Sequence, residues 1–259
     1  MASTNYAHCC TSGTMYSGKP KGYMTKVNDK IDAYISVPPT TIPRKDSGIL
    51  YLPDVFGIWQ NSKLIADDFA AKGYTCVVVD ILNGDPLTLD NAKDINFPSW
   101  LAKGTCGNNP HAPEFIDPIV LAGIAMMRDL GFTRIGAVGY CFGAKYSIRH
   151  LPNGIDCAFI AHPFGIEEEE VSAVTSPVSV AAAEHDTAFT LEKRYMMEKL
   201  LRQSQQAFQI TVFSGVDHGF AVRGKPKLKA HLYAREQAFL QAIAWFDCYL
   251  EAPAQAVHL

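Results

Sequence analysis

The stretch Arg134-Ile135-Gly136-Ala137-Val138-Gly139-Tyr140-Cys141-Phe142-Gly143-Ala144-Lys145 decides how the rest of the chain is read. A short apolar run leads to Gly139, and a helix-compatible segment follows Gly143. Between them stands Gly-x-Cys-x-Gly. The two glycines leave room for a tight turn that a side chain would crowd. Such a turn lifts the Cys141 sulfur to a helix N-terminus, where the positive end of the dipole favours a thiolate. A buried cysteine in an ordinary strand-to-helix turn would share this local pattern, so its meaning depends on the rest of the chain.

Outward from this turn, apolar runs alternate with helical spacing. Residues 31–37 alternate apolar and polar as a half-buried strand does. Residues 48–52 form a continuous apolar run of the kind buried on both faces of a sheet, 74–80 read as another buried strand, and 156–161, 177–183 and 208–213 read as further strands. Helices are expected from Asn61 or Ser62, as cap, to Ala71, then over 116–130, 142–150, 191–203 and 228–250. This alternation predicts an α/β fold with a mostly parallel sheet and helices on both faces. No linker divides residues 1–259, which read as one domain. Residues 1–30 read as an arm with short strands at most. Residues 82–113, rich in Gly, Pro and Asn, break the rhythm and read as a lid or pocket-wall insertion carrying Phe97, Trp100 and Leu101.

The 259 residues are 48% hydrophobic and 19% charged, with a net charge of -3, the balance of a soluble globular chain. Nothing in that charge points to nucleic acid or a membrane. No run approaches the roughly 20 apolar residues of a membrane span. The polar start lacks the pattern of a secretory signal, and seven cysteines without a framework suit a reducing compartment, so the expected location is cytoplasmic. Cys9 and Cys10 are adjacent rather than spaced as a zinc knuckle, and no phosphate loop occurs. The expectation is no metal and no cofactor, with a small molecule as partner and a homodimer left open.

In open parallel sheets ligand sites gather at the carboxyl ends of the strands. Those ends carry Asp54, Asp80, Cys141, His162, Asp186 and His218. Cys141, Asp186 and His218 fall in the chain order nucleophile, acid, base that α/β-hydrolases use. In that reading His218 takes or shares the thiol proton, and Asp186 fixes the imidazole tautomer. The amide of Phe142, next after the nucleophile, and that of Val55, after an earlier strand, would form the oxyanion hole. Trp100 and His162 are candidate substrate contacts.

Together, Gly139-Tyr140-Cys141-Phe142-Gly143, Asp54-Val55-Phe56-Gly57, Glu184-His185-Asp186 and His218-Gly219-Phe220-Ala221 resemble the dienelactone hydrolase family. Cys9-Cys10-Thr11-Ser12-Gly13 resembles its fungal members. The resemblance covers nearly the whole chain and implies a cofactor-free α/β-hydrolase fold with Cys141, Asp186 and His218 as triad. It implies hydrolysis of an ester or lactone through an acyl-enzyme. The alternatives are biosynthetic acyl transfer, cyclisation or isomerisation on the same scaffold, and a non-catalytic small-ligand-binding protein. Two positions depart from the bacterial pattern. Asp54 stands where bacterial members have a Glu that meets the resting thiol. Arg223 lies five residues after the catalytic His, where bacterial members place a carboxylate-binding Arg at four. A second substrate-binding Arg of those members has no counterpart in 82–113, which implies a substrate larger or less charged than a simple dienelactone.

Overall fold

β5 (Arg134–Tyr140) runs through the interior of an eight-stranded sheet, and its side chains alternate between two apolar layers. Ile135 and Ala137 join the core on one face, and Val138 and Tyr140 the core on the other. The computed structural model describes residues 10–39, 41 and 43–251. Cys9 and the tail after Glu251 lie outside the described residues.

The other strands are β1 (Tyr23–Val27), β2 (Ile31–Ser36), β3 (Ser47–Leu52), β4 (Thr75–Val79), β6 (Cys157–Ala161), β7 (Val178–His185) and β8 (Phe208–Asp217). Their order is β1-β2-β4-β3-β5-β6-β7-β8. β1 and β2 pair antiparallel, as do β2 and β4, and the rest run parallel. The continuous apolar runs explain this placement. β3 and β6 are buried along their whole length, which suits strands covered on both faces. Each large apolar side chain buried this way stabilises the fold by roughly 1.5–3 kcal/mol.

One face is covered by helices α3 (Pro113–Asp129), α4 (Phe142–Arg149) and α6 (Leu191–Gln203), which insert Val120, Ile148 and Leu201 into the first core. The other is covered by α1 (Gln60–Ala71) and α8 (Lys229–Leu250), which bring Phe69 and Phe246 into the second. The short helices α2 (Phe97–Lys103), α5 (Glu168–Ser172) and α7 (Phe220–Arg223) lie in the connections.

Three local features differ from the sequence reading. The insertion at 82–113 is partly ordered by α2, whose start is fixed by the Asn96 side chain accepting from the Ser99 amide, with a proline in the first turn. Asn61 does not cap α1. Ser62 Oγ accepts from the Trp59 amide at 3.0 Å, which leaves Asn61 to serve elsewhere. β7 and β8 also run past Ala183 and Phe213, through a bulge. Ala183 pairs with Phe213, yet His185 pairs with Asp217, so β8 carries two extra residues there. The Glu184 carboxylate holds the bulge by accepting from Ser214 Oγ at 2.7 Å and the Gly215 amide at 2.8 Å.

Candidate active site

The neighbouring strands β3, β5, β6, β7 and β8 each end beside one candidate residue: Asp54, Cys141, His162, Asp186 and His218. The bulge matters here. A regular ladder from Ala183–Phe213 would set His185 against Gly215 and leave His218 two positions beyond Asp186. The two extra residues restore the match at His185–Asp217, so the next residues, Asp186 and His218, stand side by side.

Cys141 sits between strand and helix with φ 51° and ψ -110°, a conformation costing on the order of 1–3 kcal/mol for a non-glycine residue. Its amide donates to the Ala161 carbonyl at 3.2 Å, and its carbonyl accepts from the Phe164 amide at 3.0 Å, so both peptide groups are pinned to the end of β6. A Cβ on Gly143 would overlap the Leu52 carbonyl, and one on Gly139 would overlap Ser147 Oγ. Both glycines are therefore required by close approach of neighbouring atoms.

Cys141 Sγ lies 3.0 Å from His218 Nε2. His218 Nδ1 lies 3.0 and 2.9 Å from the two Asp186 oxygens. Asp186 Oδ1 also accepts from the Ala188 and Phe189 amides at 2.8 and 2.9 Å. All three side chains are buried. Burial raises the Asp186 carboxyl, but the His218 charge and these amides outweigh it and hold it below its ordinary value. Burial would likewise raise the Cys141 thiol. The Cys10 thiol, the charge and hydrogen bond of His218 and the Arg223 charge outweigh it, and Cys141 falls well below an ordinary thiol. Burial would lower His218, yet Cys141 and Asp186 push it up to about 10. Both shifts run in the direction that favours a thiolate beside an imidazolium.

Two amides near the turn lack a backbone acceptor among the described residues. Phe142 opens α4, so its N–H has no intrahelical acceptor. The Val55 N–H has no backbone acceptor among the described residues, while its carbonyl accepts from the Leu87 amide at 2.8 Å. The contact of Gly143 with Leu52 and Pro53 brings the loop carrying Val55 against the start of α4.

The remaining candidates are placed differently from one another. Asp54 and Arg223 form a buried ion pair. Burial, opposed by the pull of Arg223 and helped by the Cys141 charge, pushes the Asp54 carboxyl up to about 6. The Arg223 fork also donates from Nε to the Ser12 carbonyl at 2.8 Å and from Nη2 to the Cys10 carbonyl at 3.1 Å, with its plane 5.5 Å from the Phe56 ring. His162 is buried with φ 39°, its ring edge-on to His218 at 5.0 Å. Burial and the His218 charge keep it neutral. Trp100 is buried against Phe97 and His111, with its edge toward Phe142 at 6.4 Å.

Three residues have roles at the site that the sequence does not announce. Cys10 is buried in the site, its Sγ 3.6 Å from His218 Nε2 and 3.9 Å from Cys141 Sγ. Asn61 ties down the strap that carries Cys10. Its Nδ2 donates to the Thr14 carbonyl at 2.8 Å and the Val222 carbonyl at 2.9 Å, and its Oδ1 accepts from the Tyr16 amide at 2.7 Å. Glu184 holds the bulge. The one available signal was the Cys9-Cys10-Thr11-Ser12-Gly13 resemblance, which marks the strap as a family feature without saying what it touches.

The strap separates two openings. A cleft of about 720 Å³ is lined by Ser12, Gly13, Asp186, His218, Arg223 and Lys225 among others. A second pocket of about 590 Å³ lies between Thr11–Gly13 and Leu89, Ala92 and Ile95 of the insertion.

The profile of the dienelactone hydrolase family matches residues 31–250. Hydrolase pyvD of Aspergillus violaceofuscus is 42% identical over 97% of this chain and 100% of its own. Dienlactone hydrolase 1 of Gibberella moniliformis is 33% identical over 93% of each chain. A dienelactone hydrolase structure from Klebsiella pneumoniae, described as putative, superposes with a TM-score of 0.70 at 17% identity, covering 88% of this chain and 99% of its own, which speaks to the fold. No helix among the described residues is long and apolar enough to cross a membrane. The chain belongs to the dienelactone hydrolase family and is a hydrolase on the α/β-hydrolase fold.

Proposed function

We propose that the protein hydrolyses a small carboxylic ester or lactone, with Cys141 as nucleophile, His218 as acid and base, and Asp186 as its orienting partner. The observation that carries this reading is the unbroken hydrogen-bonded line from Cys141 Sγ through both His218 nitrogens to Asp186. The Cys141 thiolate attacks the carbonyl carbon, and the carbonyl π electrons move to oxygen. The amides of Val55 and Phe142 receive that oxyanion, an interaction whose loss costs on the order of 100-fold or more in rate in comparable enzymes. On collapse the C–O bond breaks and His218 gives its proton to the leaving alkoxide, which in a lactone stays tethered. Water then attacks the thioester as His218 takes its proton. The thiolate departs, and the acid is released.

In this reading Arg223 and Asp54 position rather than bind. The guanidinium is engaged by Asp54 and the strap carbonyls, and its charge favours the thiolate. Substrate recognition then falls to the two openings beside the strap. His162 and Trp100 serve as buried walls behind His218 and Phe142. The test is turnover of p-nitrophenyl esters and of simple lactones by Cys141→Ala and His218→Ala. Loss in both, with unchanged circular dichroism, supports the reading. Full activity in either contradicts it.

The complete burial of Cys141 beneath the strap supports a second reading, acyl transfer or cyclisation in a closed, dry site. Product analysis with and without an added alcohol or amine acceptor separates the two.

A further inference from the structure

Cys10 Sγ, Cys141 Sγ and His218 Nε2 are mutually close in the one cluster of potential metal-ligating groups of this kind among the described residues. The geometry points to a soft-metal site formed by these three atoms, one that takes Zn²⁺, Cd²⁺ or Co²⁺ and clamps the strap over the nucleophile. The metal is an inhibitor in this proposal and has no part in the reaction.

The distances support it. A tetrahedral zinc with bonds of about 2.3 Å to sulfur and about 2.0–2.1 Å to nitrogen sets two sulfurs about 3.8 Å apart, and a sulfur and nitrogen about 3.6 Å apart. Here the sulfurs are 3.9 Å apart and Cys10 Sγ is 3.6 Å from His218 Nε2. Only the 3.0 Å between Cys141 Sγ and His218 Nε2 must widen, by about 0.6 Å, as the metal replaces their shared proton. Two thiolates and an imidazole are a donor set that selects soft or borderline metals over magnesium or calcium.

The surroundings suit a metal as well. Asp186 holds His218 Nδ1, which leaves Nε2 to bind through its lone pair, the carboxylate–histidine–metal arrangement. Two thiolates neutralise a divalent cation, and the nearby Arg223 charge is already matched by Asp54. The proton balance is complete. One proton leaves the Cys10 thiol and one leaves the Cys141–His218 pair, both go to solvent, and water fills the fourth position.

The ligands come from three separate parts of the chain, the strap, the turn after β5 and the end of β8, so no spacing motif could announce them. The strap also explains the consequence. Cys10 is carried on a segment tied to the body by bonds that include those to Arg223 and Asn61, with an opening on either side. A metal bridging Cys10 to Cys141 would fix that segment in its closed position and occupy nucleophile and base together.

The test uses the full chain with Cys9, Cys106 and Cys248 replaced by Ser, so that Cys9 and the two exposed thiols do not contribute. Titration with Co²⁺ is expected to give one ion per chain, with tetrahedral visible bands and sulfur-to-cobalt charge transfer. Cys10→Ala in that background should weaken binding at least 100-fold. Absence of stoichiometric binding, or equal affinity in Cys10→Ala, overturns the site. A variant-free check is alkylation by iodoacetamide mapped by mass spectrometry. Bound Zn²⁺ should protect Cys10 and Cys141 together, and modification of Cys10 at an unchanged rate contradicts the proposal. Inhibition rests on the hydrolytic reading whereas binding does not. Zn²⁺ should suppress ester turnover over the range in which it binds, with recovery on adding EDTA, and turnover by the metal-saturated protein overturns the clamp.

Discussion

Arg223 and Asp54 form an ion pair sealed from solvent, and the same guanidinium holds the carbonyls of Cys10 and Ser12. One side chain thereby joins the loop after β3 to the N-terminal strap. Arg223→Ala should destabilise the protein by about 3–5 kcal/mol, because it leaves a buried carboxylate without its partner. Asp54→Asn keeps one acceptor oxygen for two donors, Arg223 and the Phe56 amide, which use separate carboxylate oxygens. It too should destabilise, though less than Arg223→Ala, because no buried charge loses every partner. Arg223→Lys should not rescue, as an ammonium lacks the planar fork that reaches these acceptors. Urea unfolding of the three variants ranks them.

The turn around Cys141 has no room for larger neighbours. Gly143→Ala places a methyl against the Leu52 carbonyl, which is backbone and cannot move aside alone. The expected result is a loss of about 3 kcal/mol or more, or failure to fold. Thermal unfolding, or soluble yield, reads it directly.

The charged Cys141–His218 pair fixes the shape of the pH profile. A thiol held below its ordinary value is ionised through the neutral range, and an imidazole pushed up to about 10 is protonated there. As pH falls, kcat/KM should drop only once the thiolate protonates, on the acid side of neutrality. As pH rises, it should fall again near 10, where His218 loses the proton that the leaving alkoxide needs. The thiolate ultraviolet absorbance, titrated against Cys141→Ala, should follow the acid limb. An activity that instead rises through pH 8 to 9, as an ordinary thiol ionises, contradicts the ion pair.

Glu184 is an exposed residue with a positioning role. Glu184→Ala removes the acceptor for Ser214 and Gly215 and loosens the bulge that sets His218 beside Asp186. A fall in kcat on the order of tenfold is expected, short of the 100-fold that a misplacement of about 1 Å can cost, with little change in melting temperature. Glu184→Gln, which keeps an acceptor oxygen, should recover most of it. An equal loss in both variants contradicts a role in holding the bulge.

Much of this architecture is legible in the sequence, for a physical reason. β3, β5, β6 and most of β7 are largely continuous apolar runs because both faces of the sheet are covered, and Asp54, Cys141, His162 and Asp186 stand within three residues past those runs. A rule about strand ends therefore collects them. The bulge escapes such reading, because it shows only as a mismatch in length between two paired strands and Glu184 looks like any exposed carboxylate. Cys10 escapes it more completely. Its contact with Cys141 spans 131 positions and depends on a strap with no periodic pattern. Asn61 fits a helix cap by residue type, since caps favour asparagine, yet Ser62 takes the helix start and Asn61 binds the strap.

Hydrolysis by this route requires a covalent acyl intermediate on Cys141. Rapid-quench mass spectrometry with p-nitrophenyl acetate addresses it most directly. A transient gain of one acetyl group is expected on the peptide carrying Cys141. Cys141→Ala should show no adduct and a rate loss of several orders of magnitude. An acetyl group on another residue that turns over at the steady-state rate, or undiminished hydrolysis by Cys141→Ala, would contradict it.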